Sequence, residues 1–216
     1  METRKLPIIE TFAEGLAVGM KHLPSLFLTT LLYVLTLWIP YLNVGTTIAM
    51  TTLPGRLAEG KPISPLFIFD GRYRKDICSF LLLLAFVYLA TYMAALFLLV
   101  PAMVVSIAMS LAFYILADDG VTPTEAIRLS NRATYGNKWR IFIVDMLLGA
   151  LVTGVLLLIV LLTHKVLPLC IFLAVVLVLV AEPLEMGIRS VVYDRLYRRQ
   201  KPSEDMAAET ASEPEA

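Results

Sequence analysis

The chain lacks the residue patterns that most catalytic and metal sites need. It has only two cysteines and two histidines in 216 residues, and neither pair has the close spacing of a zinc site or of a disulfide framework. It contains no glycine-rich phosphate loop and no serine set in a nucleophile elbow. We therefore predict no catalytic residue, no metal and no cofactor, and nothing beyond ordinary loop basicity favours nucleic-acid binding.

Charge is missing from two long stretches. Residues 23–55 and residues 77–117 contain no Asp, Glu, Lys, Arg or His. The second stretch, as one helix, would be about 60 Å long, whereas the hydrocarbon core of a bilayer is about 30 Å thick. Each stretch is therefore expected to fold back on itself. With 58% hydrophobic residues and a mean hydropathy of +0.78, the chain has the composition of an integral membrane protein.

The predicted fold class is all-α, a polytopic transmembrane helical bundle. Proline near the centre of each of these stretches predicts a turn, at Pro40 and Pro101, and Pro168 with residues 164–165 predicts a third turn in the apolar region that follows. This gives about six spans in three hairpins, whose arms are residues 23–39 with 42–57, 77–99 with 102–117, and 141–163 with 166–188. The arm at 42–57 is short and rich in threonine, so a re-entrant course is the alternative for it.

An amphipathic interfacial helix is predicted before each hairpin. The first, residues 7–21, has one apolar face and one charged face, made respectively of Ile8, Ile9, Phe12, Leu16 and Met20 and of Glu10, Glu14 and Lys21. Two interpretations are open for it: a helix on the membrane surface, or one packed on the cytoplasmic side of the protein itself. Residues 66–69 form a second, shorter element. The third begins with a capping box, Thr122, Pro123 and Glu125, and ends near Gly136.

The distribution of positive charge predicts the topology. In the three-hairpin arrangement 17 of the 18 Lys and Arg residues fall on one side of the membrane, and only Lys165 falls on the other. The positive-inside rule then places both termini in the cytoplasm, for a multi-pass protein of the cytoplasmic (inner) membrane. Residues 1–201 are predicted to be one integral membrane domain. Residues 202–216 are acidic and poor in apolar residues, which predicts a disordered cytoplasmic tail.

Residues 125–130 (EAIRLS) and 136–142 (GNKWRIF) carry a resemblance. This capped amphipathic helix, followed by a Gly-Asn-Lys-Trp hinge and a span, resembles a pattern in uncharacterised bacterial multi-span membrane proteins. That family is loosely similar to the membrane domain of glycerophosphoryl diester phosphodiesterases, a domain of unknown function. The resemblance covers residues 100–150 and, in layout only, the remainder. It implies residence in a bacterial cytoplasmic membrane and an α-helical fold, but no phosphodiesterase activity, because no such catalytic domain is present.

Four ionisable residues are predicted to share one layer of the last hairpin: Asp145, Glu182, Glu185 and Arg189. Charged side chains inside a bilayer are costly and commonly functional. They would serve a proton- or ion-coupled pathway or a pocket for a lipid headgroup. The alternative is a polar clasp between two helices, with the side chains extending to water.

A basic segment follows the last span, with Arg195, Arg198, Arg199 and Lys201. These residues are candidates for contact with anionic lipid, or they serve only as the positive stop that fixes topology. The predicted function is a non-enzymatic membrane scaffold or accessory subunit that contacts membrane lipids, other membrane proteins or itself. The alternative is a small transporter, channel or lipid-handling protein that uses the intramembrane acidic layer; a membrane-embedded enzyme has the least support.

Overall fold

The computed structural model describes residues 5–60, 63–70, 77–163 and 165–201, without the side chains of Pro40 and Tyr41. The predicted tail, residues 202–216, lies outside this part of the chain. All regular elements within it are helical, which confirms the all-α class. They are α1 (Ile8–Lys21), α2 (Leu23–Thr36), α3 (Pro40–Ala58), a 3₁₀ helix (Pro65–Phe69), α4 (Ile77–Phe97), α5 (Leu99–Met109), α6 (Ala112–Asp119), α7 (Pro123–Thr134), α8 (Lys138–Thr163), α9 (Leu167–Tyr193) and a π-helical turn (Asp194–Arg198).

Several of these helices are long and apolar enough to cross a membrane. Within the described ranges there are four such stretches: Ile77–Phe97, Leu99–Asp119, Lys138–Thr163 and Leu167–Arg198. A fifth results if α1 and α2, which are bent by 74° relative to each other, count as one broken span. Helix α3 is not among them, since it carries Asn43, Arg56 and a series of threonines. The structure thus has the apolar helices of a membrane protein, while six spans are not confirmed.

The three prolines expected at the turns lie just inside the helices that follow. Pro40 is the first residue of α3, Pro168 the second of α9 and Pro101 the third of α5. The first turn of a helix has N–H groups without intrahelical partners, so proline costs little there. The break before α5 is at Leu98, whose backbone is extended (φ −171°, ψ 158°), three residues earlier than predicted.

The packed core is concentrated at one end of the long helices. The buried residues of α8 are Ile141, Val144 and Leu148, all in its first half. Those of α9 begin at Pro183 and continue to its C-terminus. Beyond this core the helices expose large apolar side chains, such as Leu96 (79% exposed), Leu162 (72%) and Phe172 (63%).

Helix α1 packs on α9 through small residues. Its buried stripe is Thr11, Gly15 and Gly19, and a Cβ on Gly15 would lie 2.6 Å from Ile188 Cα. Such contact between backbones is the small-residue packing of membrane helices. Ile9 (82% exposed) and Met20 (63%) face away. Of the two interpretations of this helix, the structure has the one packed on the protein. Ile8, Phe12 and Leu16 of the predicted apolar face pack against the core, while Gly15 and Gly19 make the close contact with α9.

Helix α7 begins as predicted, with Thr122 at the N-cap position and Pro123 first in the helix. The capping box itself is wrong: the Thr122 side chain makes no capping hydrogen bond. Glu125 instead accepts a 3.1 Å hydrogen bond from Arg128, which lies three residues further along the helix. Gly136 has φ +78°, the left-handed conformation expected after a helix end.

Ser130 of α7 bridges the break between α5 and α6. Its hydroxyl donates to the Ala108 carbonyl at 2.7 Å and accepts from the Leu111 N–H at 3.2 Å. Both groups lie where the α5–α6 helix is interrupted, at residues 110–111. A helix end leaves such backbone groups without intrahelical hydrogen-bond partners. Ser130 is completely buried, so α7 is fixed in rotation against the end of this apolar stretch.

Candidate functional site

The polar layer predicted in the last hairpin is centred on Arg189. Its Nε and Nη2 atoms each lie 2.7 Å from Glu185 Oε1, one helical turn away. Asp145 of α8 and Tyr114 of α6 also interact electrostatically with this guanidinium. Three helices therefore contribute to one cluster: Asp145, Glu182, Glu185, Arg189 and Tyr114, which we call the Arg189 cluster.

Glu182 lies at the outer side of the Arg189 cluster. It is exposed and interacts electrostatically with Glu185 and Arg189. Its spacing from Val175 and Val178, seven and four residues earlier, places all three on one face of α9, and both valines are more than half exposed. The cluster is thus continuous with the apolar surface of α9, and its carboxylates outnumber its one guanidinium. Such an arrangement has the chemistry to hold a proton, a cation or an amine.

Helix α1 supports the α9 segment that carries this cluster. Pro183, inside α9, is buried, and a Cβ on Gly19 would lie 2.8 Å from the Pro183 carbonyl oxygen. A proline inside a helix leaves one carbonyl without its usual intrahelical partner and weakens the turn. Close packing of α1 holds this turn in place. Glu185, which pairs with Arg189, follows Pro183 by two residues.

Tyr114 was missed in the sequence. It is 6% exposed, and its ring meets that of Tyr193 edge-on at 5.4 Å. The sequence does contain a pattern that could have identified it. Near the ends of two apolar helices, polar side chains lie four residues apart and so share one helix face: Tyr114 with Asp118, and Tyr193 with Tyr197. Sequence alone could not show that these two helix ends meet.

A second polar group joins the end of α6 to the C-terminal segment. The Tyr193 hydroxyl donates to Asp118 Oδ2 at 2.7 Å, and the Tyr197 hydroxyl donates to Asp119. Lys201 Nζ lies 2.6 Å from Asp119 Oδ1. The two aspartates, which directly follow the predicted arm 102–117, are therefore the acceptors that anchor this segment.

The four basic residues proposed for lipid contact all have partners within the chain. Arg195, whose side chain is 15% exposed, pairs with Glu10 at 2.9 Å and with Glu14. The other contacts are Arg198 to the Ala58 carbonyl, Arg199 to Asp194 at 2.6 Å and Lys201 to Asp119. These side chains tie the last segment to α1, α3 and α6. Contact of this segment with anionic lipid stays a prediction.

Leu6, two residues before α1, is hydrogen-bonded to the start of α8. Asn137, 3% exposed, accepts the Leu6 N–H on its Oδ1 at 2.9 Å. Arg140 Nη1 donates to the Leu6 carbonyl at 3.0 Å. The Gly-Asn-Lys-Trp hinge of the sequence therefore has a structural role in docking the segment before α1.

Both cysteines are free thiols. Among the described residues, no three His, Cys, Asp or Glu side chains are placed to hold a metal ion. No family model, curated protein or solved structure matches this chain. The resemblance of residues 125–142 to bacterial membrane proteins stays a prediction.

Proposed function

We propose that this chain is a non-enzymatic integral membrane protein, a scaffold or accessory subunit that contacts lipids or partner proteins. The observation that supports it is the uncovered apolar surface of α8 and α9. Only 6% of the most apolar segment of each helix is buried by the rest of the chain. Burial of apolar area is the main driving force for association and insertion, so lipid tails or another membrane protein must cover these helices.

The topology we propose has about six spans in three hairpins, in the cytoplasmic membrane, with both termini in the cytoplasm. Polar contacts from Arg195 to Glu10, Arg198 to Ala58 and Tyr193 to Asp118 join α1 and the ends of α3, α6 and α9. This supports a common inner side for those ends. Helix α8, at about 39 Å, is long enough to reach the other side. Helix α2, about 21 Å long, would cross only together with α1.

Accessibility of single cysteines tests this topology. In a Cys78→Ser/Cys170→Ser background, Ser64→Cys and Thr124→Cys are expected to react with an impermeant maleimide only after cells are permeabilised. Lys165→Cys is expected to react in intact cells. Reaction of Ser64→Cys and Thr124→Cys from opposite sides would contradict the three-hairpin arrangement.

The alternative function is a small transporter, channel or lipid-handling protein that uses the Arg189 cluster. The specific observation in its favour is the convergence of charged groups from α8 and α9, with Glu182 exposed at the edge. Proteoliposomes containing the full chain test it by proton and monovalent-cation flux. Flux above that of empty liposomes, abolished by Asp145→Asn and by Glu182→Gln, would favour the alternative. The scaffold proposal expects no such flux.

A further inference from the structure

The surface where α7 meets α8 combines exposed positive charge with exposed aromatic rings. It consists of Arg128, Arg132, Tyr135, Lys138 and Trp139, which we call the α7–α8 elbow. Tyr135 is 69% and Trp139 60% exposed, and Arg128 and Arg132 are also exposed. The Arg132 side chain has no hydrogen-bond or ion-pair partner among the residues that the structure describes.

The orientation of the elbow is fixed from behind. The opposite face of α7, at Ala126, Ser130 and Thr134, is buried, and Ser130 is bonded to both sides of the α5–α6 break. At the corner, Asn137 is buried and bonded to Leu6. The basic and aromatic side chains therefore point outward from a fixed support.

Helix α8 sets the depth of the elbow relative to the bilayer. Exposed apolar side chains begin at Ile143 (41% exposed) and continue with Met146 (55%) and Leu147 (40%). Ile143 is only about 6 Å along the axis from Trp139 at 1.5 Å per residue. With the apolar part of α8 in a bilayer, Trp139 and Tyr135 would lie in the interfacial region, where Trp and Tyr are enriched. Arg132 and Lys138 would then be within reach of the lipid phosphates.

We propose that the α7–α8 elbow binds the headgroups of anionic phospholipids in the leaflet that it faces, an inference that rests on the proposed membrane integration. Arg132 has the planar fork of donors that matches a phosphate. Lys138, whose Nζ lies 3.0 Å from Asn131 Oδ1, adds a second positive charge. Arg128 is partly offset by Glu125 at 3.1 Å.

Charge pairing distinguishes this surface from the C-terminal basic segment. Arg195, Arg199 and Lys201 each contact a carboxylate of the same chain. Arg132 and Lys138 have no such carboxylate partner among the described residues. An anionic phosphate in the membrane provides the missing counter-charge, and it does so at the depth that the aromatic rings indicate.

The test uses energy transfer from Trp139 to labelled lipid. The full chain carrying Trp38→Phe is reconstituted in phosphatidylcholine vesicles that contain a small fraction of dansyl-phosphatidylglycerol or dansyl-phosphatidylcholine. We expect stronger transfer to the anionic lipid. In Arg132→Gln/Lys138→Gln, two lost charges should lower the relative affinity for it by roughly tenfold or more. Arg132→Lys should keep most of the preference.

The control removes the same charge from the other segment. Arg199→Gln/Lys201→Gln should keep the preference for the anionic lipid, provided that its circular dichroism is unchanged. The proposal is overturned if the elbow variant keeps the full preference, or if both double variants lose it equally, which would indicate net charge alone. The proposal is also overturned if the wild type shows no preference for the anionic lipid. Failure of the chain to enter any vesicle would instead contradict the proposed function.

Discussion

Gly187 of α9 and Gly15 of α1 cross with their backbones in contact. A Cβ built on Gly187 would lie 2.3 Å from the Gly15 carbonyl oxygen and 2.5 Å from the Gly19 nitrogen. Real side chains do not come this close to backbone atoms. The crossing therefore requires glycine at Gly187, and it fixes the position of α1 over the segment of α9 that carries Arg189.

The first prediction concerns this crossing. Gly187→Ala should destabilise the protein by roughly 1–3 kcal/mol, because α1 must shift away from α9. The measurement is thermal unfolding in detergent, monitored by size-exclusion chromatography or circular dichroism. Gly154→Ala is the matched control on α8, where a Cβ meets nothing within 4 Å; it should be neutral or stabilising, because alanine favours helix. Equal melting temperatures for the two variants would refute the close crossing.

The second prediction concerns the hydrogen bond from Tyr193 to Asp118. Tyr193→Phe should cost about 1.5–3 kcal/mol of stability, since it removes a 2.7 Å bond to a carboxylate. Tyr193 is 1% exposed, so water does not readily replace the hydroxyl. Tyr135→Phe at the 69% exposed position should change the melting temperature little. If Tyr193→Phe and Tyr135→Phe both had the melting temperature of the wild type, the hydrogen bond between α6 and α9 would not contribute to stability.

The third prediction concerns the ion pairs of Arg195. A double-mutant cycle with Glu14→Gln and Arg195→Met should give a coupling energy of roughly 1–3 kcal/mol, because the Arg195 side chain is only 15% exposed. The same cycle for Glu125→Gln and Arg128→Met should give about 0.5 kcal/mol or less, since that pair is exposed on one helix. Thermal unfolding of the wild type and of the three variants in each cycle supplies both values. Similar coupling in the two cycles would show that Arg195 makes only an ordinary surface contact.

The fourth prediction concerns the uncovered helices. In a Trp38→Phe/Trp139→Phe background, the fluorescence of Leu157→Trp should be strongly quenched by lipids brominated on their acyl chains. Leu157 is 64% exposed in the middle of an apolar stretch of α8, so its surroundings should be lipid tails. Ser64→Trp, in an exposed connection, serves as the control and should be quenched weakly. If Leu157→Trp is also quenched weakly, a protein surface rather than lipid covers α8.

The sequence by itself determined which segments are apolar helices and where several of them begin. For residues 77–117 this needed only the absence of charge and the thickness of a bilayer, and for α8 and α9 it needed two long, mainly apolar segments on either side of residues 164–165. Pro123 marked the first turn of α7, because the N–H that proline lacks has no intrahelical partner there, whereas Pro40 and Pro168, predicted at turns, lie in the first turns of the helices that follow. The sequence also predicted similar depths for Asp145, Glu185 and Arg189. The rise per residue is enough for this, because it converts the position of a residue in a helix into its distance from the helix end.

The tertiary structure alone decided which faces meet. For an apolar side chain in a membrane, lipid and protein are similar surroundings, so the apolar pattern of α1 could not show that Gly15 and Gly19, rather than Ile9 and Met20, contact α9. Pairing of Arg195 with Glu10 joins residues 185 positions apart, and no local pattern encodes it. The 74° bend between α1 and the 14-residue α2 is likewise seen only in the structure.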